Sequence, residues 1–221
     1  MEEIKLSKRL TVAAGAIREG SRVADVGCDH GKLGAYLITS GRAPFVTATD
    51  ISEPALKKAR ELFDTLGITA RAKTVLCDGL SEVRAEDADD VVIAGLGNDT
   101  IIKIICDCRW LRNPEKRLVL VPASHHERLR KSLYAAGFKI ENETAVYEDR
   151  QFYTVITASY TGVLEDKGEA FCSLGKISGE DAEKYTDWVY KRNKLILSVP
   201  ASRERKETAK RIVSYIEEKR Q

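Results

Sequence analysis

The residues best suited to chemistry lie in the first hundred positions, and each group follows a short β-rich run. Ala24-Asp25-Val26-Gly27-Cys28-Asp29-His30-Gly31 comes directly after the first run. Its glycines let the chain turn tightly and bring bare backbone close to a ligand. A helix is expected just beyond, so free N–H groups and a positive dipole end face the same place. Asp50 ends the second run, Asp78-Gly79 follows the third, and Ile93-Ala94-Gly95-Leu96-Gly97-Asn98 follows the fourth. One such aspartate alone reads as a turn former or a cap. Four successive Asp/Gly loops on one sheet edge read as a binding cleft.

The loop chemistry narrows the ligand. A dinucleotide fingerprint needs glycine at its first, third and sixth positions. Counted from Gly27, those positions hold Gly27, Asp29 and Lys32, so the match fails. No phosphate-binding G-x4-G-K-[ST] loop occurs either. An acid just before the glycines, as at Asp25, suits a ligand with a cationic end. S-adenosylmethionine, with its amino group and sulfonium, is such a ligand. Asp50 then stands where a carboxylate takes both ribose hydroxyls of an adenosyl group. Asp78 is placed to accept from the adenine amino group. The Gly95 loop offers bare backbone to the methionine end and to the incoming substrate.

The elements that must hold these loops are legible as an alternation. Leu6, Leu10, Ala13, Ala14 and Ile17 recur at helical spacing. Strands are expected over 22–26, 45–49, 72–77, 90–94 and 117–121, with helices over 33–39, 53–66 and 99–106. Pro54 falls in a first helical turn, where its missing N–H costs nothing. Ser124-His125-His126-Glu127 has capping-box spacing, so a helix is expected to follow it as far as Tyr134, stopped at Gly137. Strands at 139–147 and 152–160, four residues apart, predict an antiparallel hairpin at the sheet edge. Alternating β and α elements predict a mainly parallel sheet covered on both faces. After Gly162 the pattern changes. Residues 163–179 are turn-rich, and Ser178–Asp181 again has a cap-like spacing. Tyr185, Trp188, Val189, Leu195, Ile196 and Val199 trace one helical stripe; Ala209, Ile212, Val213 and Ile216 trace another. Joined at 200–202, these predict a helical hairpin that buries its own seam. Tyr185, Trp188 and Tyr190 are expected to fill that seam rather than to stack on bases.

Length and composition fit this plan. The chain has 221 residues, with 43% hydrophobic and 32% charged, which is ordinary globular usage. No apolar run approaches the length of a membrane span, and MEEIKLSKRL lacks the apolar core of a secretory signal. Five scattered cysteines make a disulfide framework improbable and fit a reducing cytoplasm. Cys106 and Cys108 lack a second ligand pair and His125-His126 point apart on a helix, so no metal site is read. Net charge is only +2, but residues 109–139 and 184–221 each carry a local excess of +6. Zones of that kind hold phosphate; their bland alternative is solvated helix surface.

With these residues in view, the chain resembles the bacterial tRNA (adenine-22-N1)-methyltransferase family. Leu6-Ser7-Lys8-Arg9-Leu10, ADVGCDHGKL at 24–33, CDGL at 77–80 and IAGLGN at 93–98 carry the resemblance, which covers nearly the whole chain. It implies an α/β fold: a Rossmann-like class I methyltransferase sheet over 1–162, then a coiled-coil-like helical appendage over 163–221. It implies S-adenosylmethionine as cofactor and tRNA as partner, with no membrane and no metal; no oligomeric state is read from it. Around the cofactor it places Asp25, Gly27, Cys28, Asp29, His30, Asp50, Ile51, Asp78, Gly79, Ala94, Gly95 and Leu96.

Two loops depart from the family pattern. Gly95-Leu96-Gly97-Asn98 stands where the family has GMGG, and Val121-Pro122-Ala123 where it has Gln-Pro-Asn. Both face the methyl acceptor in this fold. A paralogue with another RNA target, a non-catalytic RNA-binding module that keeps the pocket, and a small-molecule methyltransferase therefore stay open. For transfer to adenine N1, Asp29 is the first candidate to stabilise the cationic product, His30 the second, and Asn98 a candidate contact to the base. His30 and Asn98 each also read as plain helix-start residues.

Overall fold

The structure, a computed structural model, describes residues 4–220. The outermost expected positions, residues 1–3 and 221, lie outside the described residues.

Helix α1 (Lys8–Ala16) precedes five parallel strands: β1 (Val23–Val26), β2 (Val46–Asp50), β3 (Ala72–Leu76), β4 (Asp90–Ala94) and β5 (Arg117–Val121). Between them run α2 (Lys32–Thr39), α3 (Glu53–Thr65) and α4 (Asn98–Asp107). After β5 come α5 (His126–Ala135) and the long hairpin β6 (Phe138–Glu148) and β7 (Gln151–Tyr160). The chain ends in α6 (Gly168–Leu174), the two-residue β8 (Ile177–Ser178), α7 (Ala182–Ser198) and α8 (Arg203–Lys219). One eight-stranded sheet results, ordered β3-β2-β1-β4-β5-β7-β6-β8.

Side-chain alternation along the strands divides the core into two layers. Val23, Val92, Val119 and Val121 face one side, against Ala13, Ile17, Leu37 and Phe63 of α1–α3. Ala24, Val26, Ile93, Leu118 and Leu120 face the other, against Ile101, Ile105, Leu129 and Leu133 of α4 and α5. Because both faces are covered, the parallel strands read as near-continuous apolar runs. Local signals start the helices: the Ser52 hydroxyl accepts from the Ala55 amide at 3.4 Å, with Pro54 in the first turn of α3.

In the last third of the chain the sequence expectation holds for the strand hairpin and the helix pair but misses their surroundings. The hairpin is present, but it is not the sheet's edge: β7 pairs with β5, and β8 adds a parallel strand outside β6. The turn-rich stretch 163–179 hides both α6 and β8. These are too short to show a period, and their partners are distant: the Lys176 amide donates to Glu143 at 2.6 Å, and the Ser178 hydroxyl donates to the Glu143 carbonyl at 2.7 Å. Neither expected cap forms. His125, with φ of +55°, makes the left-handed turn into α5 with no side-chain cap, and Ser124 stands clear of the Glu127 amide. Asp181 instead accepts from Lys8 Nζ at 2.6 Å and from the Tyr147 amide at 2.9 Å.

Helices α7 and α8 do bury a common seam, through Tyr185, Val189, Ala209, Ile212, Val213 and Ile216. That seam also closes onto Ala145 and Phe152 of the hairpin. Three residues of the expected α7 stripe lie outside it: Leu195, Val199 and Trp188 are exposed. An ion pair bolts the junction. Arg130 Nε donates to Glu143 Oε1 at 2.6 Å, with both side chains buried. The same guanidinium donates to the Cys172 carbonyl at 2.7 Å and to the Tyr185 hydroxyl at 3.3 Å. Arg130, counted above among basic residues able to hold phosphate, is therefore taken out of that role.

Candidate functional site

The carboxyl ends of β1, β2 and β4 open onto a cavity of about 570 Å³, within the range of a small-molecule site. Two backbone clamps shape it. The Thr49 carbonyl receives the amides of Gly27 and Cys28, both at 2.9 Å, which folds the first loop over the end of β2. The Thr49 hydroxyl donates to the Gly79 carbonyl at 2.9 Å and ties in the third loop. Glycine is required at the far side of the first loop. Gly31 has φ of +69° and leads into α2, and a Cβ there would lie 2.8 Å from that of Ala59.

Three carboxylates enter the cavity in different states. Asp50 sits at the rim: Oδ2 accepts from the Asp29 amide at 3.1 Å and Oδ1 from the Ser52 amide at 2.9 Å. A carboxylate has about four lone-pair sites, so each oxygen keeps capacity for a ligand hydroxyl. Asp25 is buried at the floor, where Oδ2 accepts from the Gly34 amide at 3.2 Å. Burial pushes its pKa up to about 7, and the nearby Asp50 charge adds to the rise. Asp78 lies at the outer edge, 3.2 Å from the Lys103 ammonium. Burial, with the Asp25 and Asp50 charges near by, holds the Cys28 thiol well above its usual range, which favours S–H over thiolate.

All twelve residues expected around a cofactor line this one cavity: Asp25, Gly27, Cys28, Asp29, His30, Asp50, Ile51, Asp78, Gly79, Ala94, Gly95 and Leu96. Asp29 takes the left-handed conformation, φ of +49°, and its carboxylate points to solvent. His30 Nε2 lies 3.1 Å from Lys58 Nζ. The same nitrogen lies 3.4 Å from Asp29 Oδ1, so His30 stands between an ammonium and a carboxylate at the cavity mouth. Asn98 is not in the wall. It begins α4 with its side chain buried, its Nδ2 donating to Asp99 and its Oδ1 unpartnered. The sequence reading missed Thr49, whose role is in backbone clamps, and Arg9 and Leu10, which α1 lays across the opening. Arg9 is held there by Glu148 and by the Tyr153 ring, 4.6 Å away. The run Leu6–Leu10 was the signal that could have found it.

Residues 6–156 match the family model described as a methyltransferase domain. The chain belongs to the methyltransferase-domain family. It is 30% identical over 158 residues to the tRNA (adenine(22)-N(1))-methyltransferase of Bacillus subtilis, covering 72% of this chain and 66% of that relative, a little under two thirds of it. A Streptococcus agalactiae protein of the NADB-Rossmann superfamily superposes with a TM-score of 0.82 at 25% identity, covering 97% of this chain and 96% of that one. M. capricolum TrmK, in complex with S-adenosylhomocysteine, superposes with a TM-score of 0.79 at 23% identity, covering 96% and 98%.

The methyltransferase domain's own residues fit the adenosyl-sulfonium cofactor that the family implies. The buried Asp25 carboxyl has one backbone partner and no cation beside it among the described residues, so a positively charged end completes its site. Asp50 keeps free lone pairs at the rim. Gly95, φ of +81°, has open space where a Cβ would stand, leaving backbone alone to pass the ligand.

Proposed function

We propose that this chain transfers a methyl group from S-adenosylmethionine to N1 of adenine 22 in tRNA. One observation carries the reading: the carboxylates of Asp25 and Asp50 and the glycine loops converge on a single cavity in a methyltransferase domain. The relationship to the Bacillus subtilis enzyme supports the choice of target. In the same reading, residues 1–162 hold the cofactor and the acceptor base, and 163–221 hold the tRNA body.

The bound cofactor supplies an electrophilic methyl group on a sulfonium. Adenine N1 already carries a lone pair, so the protein's task is mainly alignment. Asp50 would hold ribose hydroxyls, Asp25 would hold the cationic end, and the Gly95-Leu96-Gly97 backbone would leave room for the acceptor base. Asp29 lies beside His30, its Oδ1 3.4 Å from Nε2. Its carboxylate stabilises the positive charge that methylation puts on the base. His30, in the cavity wall, is placed to hydrogen-bond a base edge or a sugar oxygen. A base edge held in paired RNA must first be exposed, so extrusion or a distorted tRNA precedes transfer.

The test is methyl transfer to unmodified bacterial tRNA followed by nucleoside analysis and mapping. N1-methyladenosine confined to position 22 is expected. Another methylated base would move the target, and no product from folded, cofactor-bound protein would leave an RNA-binding module.

A further inference from the structure

A second cavity, of about 470 Å³, opens on the same sheet rim one strand beyond the first. The ridge between them is the bond from the Ala123 amide to the Leu96 carbonyl, 3.0 Å long, which joins a residue of each wall. Its walls come from the β5–α5 loop, the tip of the β6–β7 hairpin and one face of α7.

Three kinds of group meet there. The first is aromatic: the Trp188 indole is 39% exposed at the mouth, backed by Phe152 and Tyr185 with ring centroids 5.5 and 5.6 Å away. An indole left out in water on a helix that buries its neighbours is a surface suited to a flat partner. The second is cationic. Arg150 and Arg192 line the cavity and neither has an ion-pair partner among the described residues; Arg192 lies over the Trp188 ring at 5.5 Å. The one acid in the wall, Glu127, is 3.5 Å from His125. The third is His126. It is 7% exposed and stacks on Tyr185, 6.4 Å between centroids, yet its ring nitrogens make no hydrogen bond to a described residue. The nitrogens are not sealed off, and the cavity wall is where a ligand can reach them. Burial, with the Arg130 charge near by, lowers its pKa to about 4, so it stays a neutral imidazole with one donor and one acceptor. The first amides of α5 begin beside it with no side-chain cap, and such amides favour an anion.

We propose that this second cavity is a nucleotide-binding site: a base stacks on Trp188, the His126 imidazole reads its edge, and Arg150, Arg192 and the start of α5 hold its phosphate. An apolar ligand would leave the guanidiniums and the imidazole unpaired, and a bare phosphate would leave the indole unused. A nucleotide uses all three. This rests on the proposed RNA methylation in one respect only: the nucleotide then belongs to the tRNA, splayed out next to the one that enters the first cavity.

The experiment follows the two indole N–H resonances of the ¹⁵N-labelled full chain, from Trp110 and Trp188, with S-adenosylhomocysteine saturating the first cavity. Adenosine 5′-monophosphate, then a short single-stranded RNA, is added. The Trp188 resonance is expected to shift saturably while that of Trp110 stays still, and Arg192→Ala to weaken the titration by about tenfold, the size of one stacking and charge contact. In methyl-transfer assays, Trp188→Leu is expected to raise KM for tRNA by about tenfold, with kcat at saturating tRNA and cofactor affinity unchanged. A Trp188 resonance unmoved at millimolar nucleotide overturns the site, as does an active Trp188→Leu enzyme with the original KM. A wild-type chain that methylates no tRNA yet shows the saturable Trp188 shift overturns the proposed function and leaves the site standing.

Discussion

The first cavity is walled mainly by backbone from consecutive βα loops, and its inner charge is carboxylate, Asp25 and Asp50, with Asp29 and Asp78 further out and Arg9 and Lys32 also in the wall. The second, one strand along the same rim, is walled by side chains from residues as far apart as Ala123 and Ile212, and its charge is the guanidiniums of Arg150 and Arg192 against one acid, Glu127. Their ligands must differ accordingly. The first favours a cation with hydroxyls at its floor; the second favours a phosphate with a flat base. A rim that carries both signs within one strand's spacing keeps a sulfonium nucleoside and an RNA strand from competing for one place.

The largest test of this contrast is structural. Glu143→Ala leaves the Arg130 guanidinium buried without its carboxylate, which costs about 3–5 kcal/mol. The junction that seats α6 and α7 should loosen, so denaturant unfolding is expected at much lower concentration and the Trp188 site should vanish. Cofactor affinity, measured by calorimetry on the folded fraction, should stay within about twofold, because the β1–β4 loops do not use Glu143. Equal loss at both cavities would show that they are one unit. Cutting the chain after Gly162 is a poorer probe, since it uncovers Phe152 and Ala145 together with the Arg130 pair.

Next in size is Asp50→Ala. Two charge-assisted hydrogen bonds to ribose are lost, together with the clamp on the Asp29 amide, so cofactor affinity should fall by about 100-fold. Affinity for tRNA alone should hardly change. A matching fall in tRNA affinity would erase the division of labour between the cavities.

The same contrast explains what could be seen in the sequence. Each loop of the first cavity is a contiguous signature at a strand end, so spacing alone brought Asp25, Asp50, Asp78 and Gly95 to one edge. Glycines that must bend, such as Gly31, announce the geometry. The second cavity has no local signature. In the sequence His126 is one of two histidines that point apart on a helix, Trp188 reads as seam filling, and Arg150 falls in the short link between two strands. They meet only because the hairpin tip folds back to the β5–α5 loop and α7 docks across both. The short α6 and β8 were invisible for the same reason: β8 is tied to Glu143 and α6 to Arg130, both more than thirty positions away from the residues they hold. The caps misread at Ser124 and Asp181 show the limit of i, i+3 spacing: at Ser178–Asp181 distant partners took the groups, and before α5 the left-handed turn at His125 took the cap position from Ser124.

The smallest expected effect is also the one most particular to the first cavity. Asp25 is buried with a pKa near 7, against an ordinary value of 3.8. A carboxyl whose pKa is raised on folding binds more protons in the folded state between those two values. Folding stability from this group is therefore present below about pH 4 and is lost as the pH rises toward 7. A cation in the cavity reverses the balance: it binds the ionised carboxylate, so binding releases a proton. Affinity for S-adenosylmethionine, whose sulfonium charge does not titrate, should rise by up to tenfold per pH unit below 7 and level off above it. Asp25→Asn keeps an acceptor for the Gly34 amide but removes the charge. It should abolish the pH dependence, weaken the cofactor, and raise the melting temperature at pH 8 by roughly the few degrees that 1 kcal/mol represents. A variant that melts lower at pH 8 and binds with an unchanged pH profile would mean that Asp25 is a structural hydrogen-bond partner of α2. The first cavity's preference for a cation would then rest on Asp50 alone.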